Sequence, residues 1–151
     1  MPIERSASST WKGSLKQGRG EVSVQSGAFR DLAVTYRTRF ENNGGTNPEE
    51  LVAAAHAACF SMALSAQLGE EGFEPSLIET TATVTLVRTD TGYAVTSAHL
   101  ETEGEVENAT DEQFMRAAEN AKNGCPISKL LAPGLESLTL DAKLRKPAGR
   151  L

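Results

Sequence analysis

Two cysteines occur in the 151 residues, Cys59 and Cys125, and they are too far apart for a CxxC pair. Only folding can bring the thiols together, and whether it does so decides between thiol chemistry and two incidental core residues. Cys59 lies in the almost uncharged run LVAAAHAACFSMAL, well inside a helical pattern. The thiolate is the reactive form, and a site a dozen residues into a helix gains nothing from the helix N-terminus. A reactive Cys59 therefore needs a cation or a hydrogen-bond donor from another element. Arg39 can supply it if its strand approaches the helix, with Glu49 holding the guanidinium through a bidentate pair. Cys125 sits between Gly124, which permits a sharp reversal, and Pro126, which can begin a further helical turn. That setting suits a movable thiol that attacks an oxidised sulfur, and equally a buried loop cysteine.

His56 precedes Cys59 by three positions and can share its helix face. His56 and Cys59, together with Cys125 and His99, could form a soft metal site, but the spacing is unlike that of the usual close ligand pairs. As general base for a cysteine hydrolase it has no evident residue to orient its imidazole. The simplest reading is a core histidine with its hydrogen bonds satisfied. Trp11 reads mainly as a residue that stabilises a sheet edge. No cofactor or metal is expected.

Composition narrows the classes. Hydrophobic residues make up 39% and aromatics 5%, so the core rests on Ala, Val and Leu. A net charge of −5 argues against a nucleic-acid backbone as partner. The basic residues Lys143, Arg145, Lys146 and Arg150 read as a solvated end. The apolar segment 51–64 is short for a bilayer span and contains His56 and Ser61, so no membrane association is expected. The first residues hold no apolar run of the signal-peptide type, and a cytoplasmic protein is the expectation. A single domain over residues 1–151 is expected, with flexible ends near 1–6 and 146–151.

These groups must be positioned by elements that the pattern suggests. Residues 20–26 and 32–40 alternate as strands, the second with Leu32, Val34, Tyr36, Thr38 and Phe40 inward and Arg37 and Arg39 on the other face. Asn42-Asn43-Gly44-Gly45 reads as a turn. Asn47 is an N-cap, Pro48 fits the first helical position, and Glu50 can complete a capping box, leaving Glu49 free. The helix then runs to about Leu68 and stops before Gly69 or Gly72. Its middle is apolar on every side, which predicts a central helix and a second subunit to cover it. Strands at 77–88 and 93–104 form a hairpin around Thr89-Asp90-Thr91-Gly92. A second helix starts near Thr110 with Gln113 as capping partner, turns Phe114, Ala117, Ala118 and Ala121 inward, and ends at Gly124. A short helix over Ile127 to Leu131 and a strand at 136–144 complete an antiparallel α+β domain with two helices against a curved sheet.

Trp11-Lys12-Gly13, Thr38-Arg39-Phe40, GTNPEELVAAAHAACFSMALS over 45–65 and NGCPISKLL over 123–131 carry a resemblance. Over residues 8–145 the chain closely resembles the osmotically inducible protein C (OsmC) and organic hydroperoxide resistance (Ohr) family of thiol peroxidases. The His56-containing helix and the Arg39-Phe40 segment are more like the OsmC branch. The resemblance implies an α+β fold with a curved antiparallel sheet, a long central helix and a second major helix, in an intertwined homodimer. It implies that Cys59 is the peroxidatic cysteine, Cys125 the resolving cysteine, and Glu49 the residue that positions a catalytic arginine. Arg39 is assigned as that arginine, with Arg37 and Arg19 as fallbacks. The implied reaction reduces an organic hydroperoxide or hydrogen peroxide through a Cys59 sulfenic acid and a Cys59–Cys125 disulfide. An external dithiol, a lipoylated protein among the candidates, then restores the thiols. The competing reading is a non-catalytic stress-associated or small-molecule-binding dimer whose cysteines only pack.

Overall fold

Trp11 and Gly20 face each other across the first hairpin, and the fit between them is tight enough to exclude a side chain. A Cβ on Gly20 would lie 2.6 Å from the indole Cε3. The indole Nε1 donates to the Gly13 carbonyl at 2.9 Å, so Trp11 works here as a structural lock. The computed structural model describes residues 1–41 and 44–146, which group into two compact units, Met1–Leu51 and Val52–Leu151. In the first unit β1 (Ala7–Lys12), β2 (Arg19–Val24) and β3 (Leu32–Val34) form an antiparallel sheet in that order.

The strand expected over 32–40 stops at Val34 and gives way to a five-residue helix, α1 (Tyr36–Phe40). Thr35 and Thr38 cap each other. The Thr38 N–H donates to Thr35 Oγ1 at 3.2 Å, and the Thr35 N–H donates to Thr38 Oγ1 at 2.9 Å. This reciprocal box satisfies two of the donors a helix start leaves open, and it outweighs the β-like alternation. Arg37 and Arg39 thus lie on a helix, not on a strand face. Of the expected turn, Asn42 and Asn43 lie outside the described residues, as do residues 147–151 of the expected basic, flexible end.

Helix α2 (Pro48–Glu70) begins as expected at Asn47, whose Oδ1 accepts from the Glu50 N–H at 2.8 Å. The Glu50 carboxylate does not close the box; it accepts from Thr46 Oγ1 at 3.0 Å. The helix ends in a Schellman motif, with Phe73 N–H to the Leu68 carbonyl, Gly72 N–H to the Gly69 carbonyl, and Gly72 at φ 85°. At 23 residues α2 has the length and mean hydropathy of a bilayer span. Its stripe of His56, Phe60, Leu64 and Leu68 is instead fully buried in the protein core.

The second unit holds β4 (Pro75–Thr89), β5 (Gly92–Val106), α3 (Asp111–Gly124), α4 (Pro126–Leu131), a 3₁₀ turn (Ala132–Gly134) and β6 (Ser137–Leu144). The β4–β5 hairpin turns where Thr89 meets Gly92, as the sequence predicts. Thr110 and Gln113 form the expected capping box of α3, whose Phe114, Ala117, Ala118 and Ala121 are buried. Phe114 packs over Gly104, where a Cβ would come within 2.5 Å of the ring.

The expected architecture is corrected on two points. There is no single curved antiparallel sheet: the strands divide into two three-stranded sheets, neither curled nor closed, and β6 runs parallel to β5 in the second. Nor does one long helix dominate the centre. The core-facing stripe of α2 recurs every fourth residue, while Ala54, Ala55, Ala58 and Met62 are exposed. The short helix expected over Ile127 to Leu131 is present as α4, with Leu130 exposed and Ser128 buried.

Candidate active site

The two thiols meet. Cys59, near the middle of α2, and Cys125, at the junction of α3 and α4, are 66 positions apart in sequence and have their sulfurs 2.9 Å apart. Both are free thiols; Cys125 is fully buried and Cys59 half-buried. A disulfide needs about 2.05 Å, so the sulfurs must close by roughly 1 Å to join. The junction supplies this placement: the Cys125 N–H closes α3 on the Ala121 carbonyl at 2.8 Å, and Pro126 opens α4 at once.

Burial pushes the Cys59 thiol above its ordinary range, and the neighbouring Cys125 adds to the rise. A hydrogen bond with the Ile127 backbone, in the first turn of α4, pulls in the opposite direction by favouring the thiolate. This backbone contact was missed in the sequence, where a donor for Cys59 was sought only among side chains. The signal was present in Pro126: a helix that starts there has unpaired N–H groups in its first turn.

Arg39 and Glu49 also meet, within the first unit. Arg39 Nη2 donates to Glu49 Oε1 at 2.7 Å and Nε lies 3.2 Å from both carboxylate oxygens. The side chains are 35% and 12% accessible, so the carboxylate is much the better sheltered partner. The guanidinium also lies 5.2 Å from the Phe40 ring centre. Arg37 pairs instead with Glu41 at 3.4 Å on an exposed face of α1, and Arg19 is exposed at the start of β2. Of the three arginines considered, Arg39 is the one paired with Glu49.

His56 and Ser128 form a second link between α2 and α4. His56 Nε2 lies 2.8 Å from Ser128 Oγ, both residues are buried, and among the described residues His56 Nδ1 has no hydrogen-bond partner. Burial lowers the His56 pKa, so the ring is held neutral. The contact resembles a serine–base pair, but the serine is inaccessible and, among the described residues, nothing orients the far nitrogen; His56 Nε2 is engaged by Ser128 and not by Cys59, the nucleophile of the hydrolase considered from the sequence. His99 is engaged elsewhere, with Nδ1 2.6 Å from Thr139 Oγ1 and Nε2 3.2 Å from Asp141 Oδ2, so the soft-metal constellation is not assembled.

The sequence pattern of the OsmC-like proteins matches residues 41–137, a span that includes Glu49, Cys59 and Cys125. Over 145 residues the chain is 45% identical to the peroxiredoxin OsmC of Escherichia coli (strain K12), covering 96% of this chain and 99% of that one. The chain belongs to the OsmC family. An organic hydroperoxide resistance protein-like 2 of Staphylococcus epidermidis is 30% identical over 102 residues, 66% of this chain and 70% of that one. The similarity is thus longer and higher toward the OsmC branch. The crystal structure of the organic hydroperoxide resistance protein OhrB of Bacillus subtilis shares the fold, with a TM-score of 0.64 at 23% identity over 93% of this chain and 98% of that one. Membership of the OsmC family and the adjoining thiols support a redox-active enzyme that works through cysteine.

Proposed function

We propose that this OsmC-family protein is a thiol peroxidase that reduces organic hydroperoxides, and hydrogen peroxide as well, with Cys59 as the attacking sulfur. The observation that carries the reading is the 2.9 Å approach of a half-buried thiol and a fully buried one. The Cys59 thiolate attacks the distal peroxide oxygen; the O–O bond breaks, the alkoxide takes a proton and leaves as an alcohol, and Cys59 becomes a sulfenic acid. Cys125 sulfur then attacks Cys59 sulfur, the S–O bond breaks, and water leaves with the Cys125 proton. An external dithiol, such as a lipoylated protein, reduces the disulfide. The peroxide supplies the oxidising equivalent.

Because burial and Cys125 hold Cys59 toward the thiol, the reaction needs donors that favour the thiolate. The Ile127 contact is one. Arg39, oriented by Glu49, is the second in this reading, and it also stabilises the negative charge that develops on the departing oxygen. The exposed Ala54, Ala55, Ala58 and Met62 of α2 support a homodimer in which a second copy covers that face. The working compartment in this reading is the cytoplasm.

The test is consumption of an organic hydroperoxide with a dithiol in excess, for the wild type and Cys59→Ser, with the mass in solution from light scattering. The reading expects turnover by the wild type, none by the variant, and about twice the chain mass. A wild type that turns over no faster than Cys59→Ser contradicts the enzyme, and a stable monomer contradicts the dimer.

A further inference from the structure

We propose that the His56–Ser128 hydrogen bond is a positioning device for the second chemical step: it holds α4 in register on α2 while Cys59 is oxidised, so that Cys125 stays aimed at the sulfenic sulfur. The inference rests on the peroxidase reading above and goes beyond it by giving these two residues a role. His56 lies three residues before Cys59 on α2, and Ser128 lies three residues after Cys125 on α4. Three residues are nearly one helical turn, with a rise of about 4.5 Å. The offsets are equal and opposite, so the two contacts form neighbouring rungs between the same two segments.

The rungs differ in what oxidation does to them. The thiol–thiol contact and the Ile127 backbone contact both end on the Cys59 sulfur. Both must rearrange when that sulfur gains an oxygen. The His56–Ser128 contact, 2.8 Å long, involves no reacting atom and can persist through the step. Water does not compete for it, because His56 is 0% and Ser128 1% exposed. Nor can His56 exchange one partner for another: among the described residues its Nδ1 has none, so losing Ser128 would leave the buried ring without a hydrogen bond to them.

The condensation itself is balanced within the chain. Cys125–SH and Cys59–SOH give the disulfide and one water, with no further reactant. Its rate depends on how often the Cys125 sulfur lies in line with the S–O bond, and small misplacements of reacting atoms are costly. The competing fate of the sulfenic acid is a second peroxide, which forms the sulfinic acid. The positioning pair therefore sets a partition: disulfide when α4 is in register, sulfinic acid when it wanders.

The experiment is rapid-quench mass analysis of the full-length protein mixed with cumene hydroperoxide, following loss of thiol, appearance of disulfide and appearance of sulfinic acid. The expected result for His56→Leu and for Ser128→Ala is a first oxidation at the wild-type rate, disulfide formation slowed by about tenfold or more, and sulfinic acid increased in proportion. The double variant is expected to be no slower than the slower single variant, because both act through one bond. His56→Gln, which can still bond to Ser128, is expected to recover much of the disulfide rate. Thermal midpoints are recorded alongside, and a merely structural role would lower them without changing the partition. Wild-type disulfide rates in both single variants overturn the inference and leave the peroxidase reading intact. Failure of the wild type itself to lose thiols with peroxide overturns that reading, and the positioning with it.

Discussion

Arg39 and Glu49 meet as full charges near the surface, whereas Cys59, Cys125, His56 and Ser128 meet as uncharged groups in the core. The first pair is held by three contacts of 2.7 to 3.2 Å and stays partly accessible. The second set is held by burial, and burial shifts both of its perturbed groups toward their neutral forms: the Cys59 pKa is raised and the His56 pKa lowered. The difference teaches a division of labour. A charged pair at the surface contributes little to stability, about 1 kcal/mol or less, but keeps a cation oriented. The second set brings two sulfurs together, and burial there holds Cys59 toward its thiol form.

The comparison can be broken first at the thiols, where the largest effect is expected. Cys59→Ser removes the peroxide reaction altogether, while Cys125→Ser retains one oxidation and accumulates sulfenic or more oxidised Cys59. If Cys125→Ser abolished the first oxidation and Cys59→Ser did not, the two roles would be exchanged. Next comes the charged pair. Arg39→Ala is expected to slow the first oxidation by about 100-fold, the typical loss of one donor aimed at developing charge, with little change in thermal midpoint. Arg39→Lys keeps the charge and loses the planar fork, so it too should impair the rate more than the fold. Glu49→Gln should give a milder version. Arg37→Ala, which loses only an exposed pair, should react at the wild-type rate; if it alone fell, the arginine assignment would move to that residue.

Two smaller effects follow from pH. A cysteine whose folded pKa is raised favours the folded state while protonated. Its contribution is complete below the unfolded value, near the ordinary 9.0, and is lost as pH rises through the higher folded value. His56 acts at the other end. Its lowered pKa contributes stability above the ordinary 6.5 and loses it as pH falls through the lower folded value. Chemical denaturation across pH should therefore show acid weakening that His56→Leu reduces and alkaline weakening that Cys59→Ser reduces. A His56→Leu curve parallel to the wild type below pH 6.5 would contradict the neutral buried imidazole.

How far the sequence reveals this arrangement depends on the range of the interactions. Helix α3 was legible because its start and end are local: Thr110 with Gln113 at one end, Gly124 at the other, and an apolar stripe between. Helix α1 was not, because the alternation of Leu32, Val34, Tyr36 and Phe40 outweighed Thr35 and Thr38, a capping pair without the usual Glu or Gln. The pairing of β6 is set by what lies beside β5 in the folded chain, and no feature of residues 137–144 encodes a parallel partner. At the site, Cys59, Cys125, Arg39 and Glu49 could each be named from residue type, while their pairings needed the fold. Ser128 was overlooked although its spacing from Cys125 mirrors that of His56 from Cys59. The one-sided burial of α2 was hidden by its many alanines, which give both faces the same apolar signature.

The central claim is that the two thiols form a redox pair within one chain. Its most direct measurement is intact mass under denaturing, alkylating conditions after one equivalent of organic hydroperoxide. The account predicts an unalkylated chain lighter by two hydrogens, at monomer mass and without an intersubunit bond. Two alkylated thiols after the same exposure would contradict it.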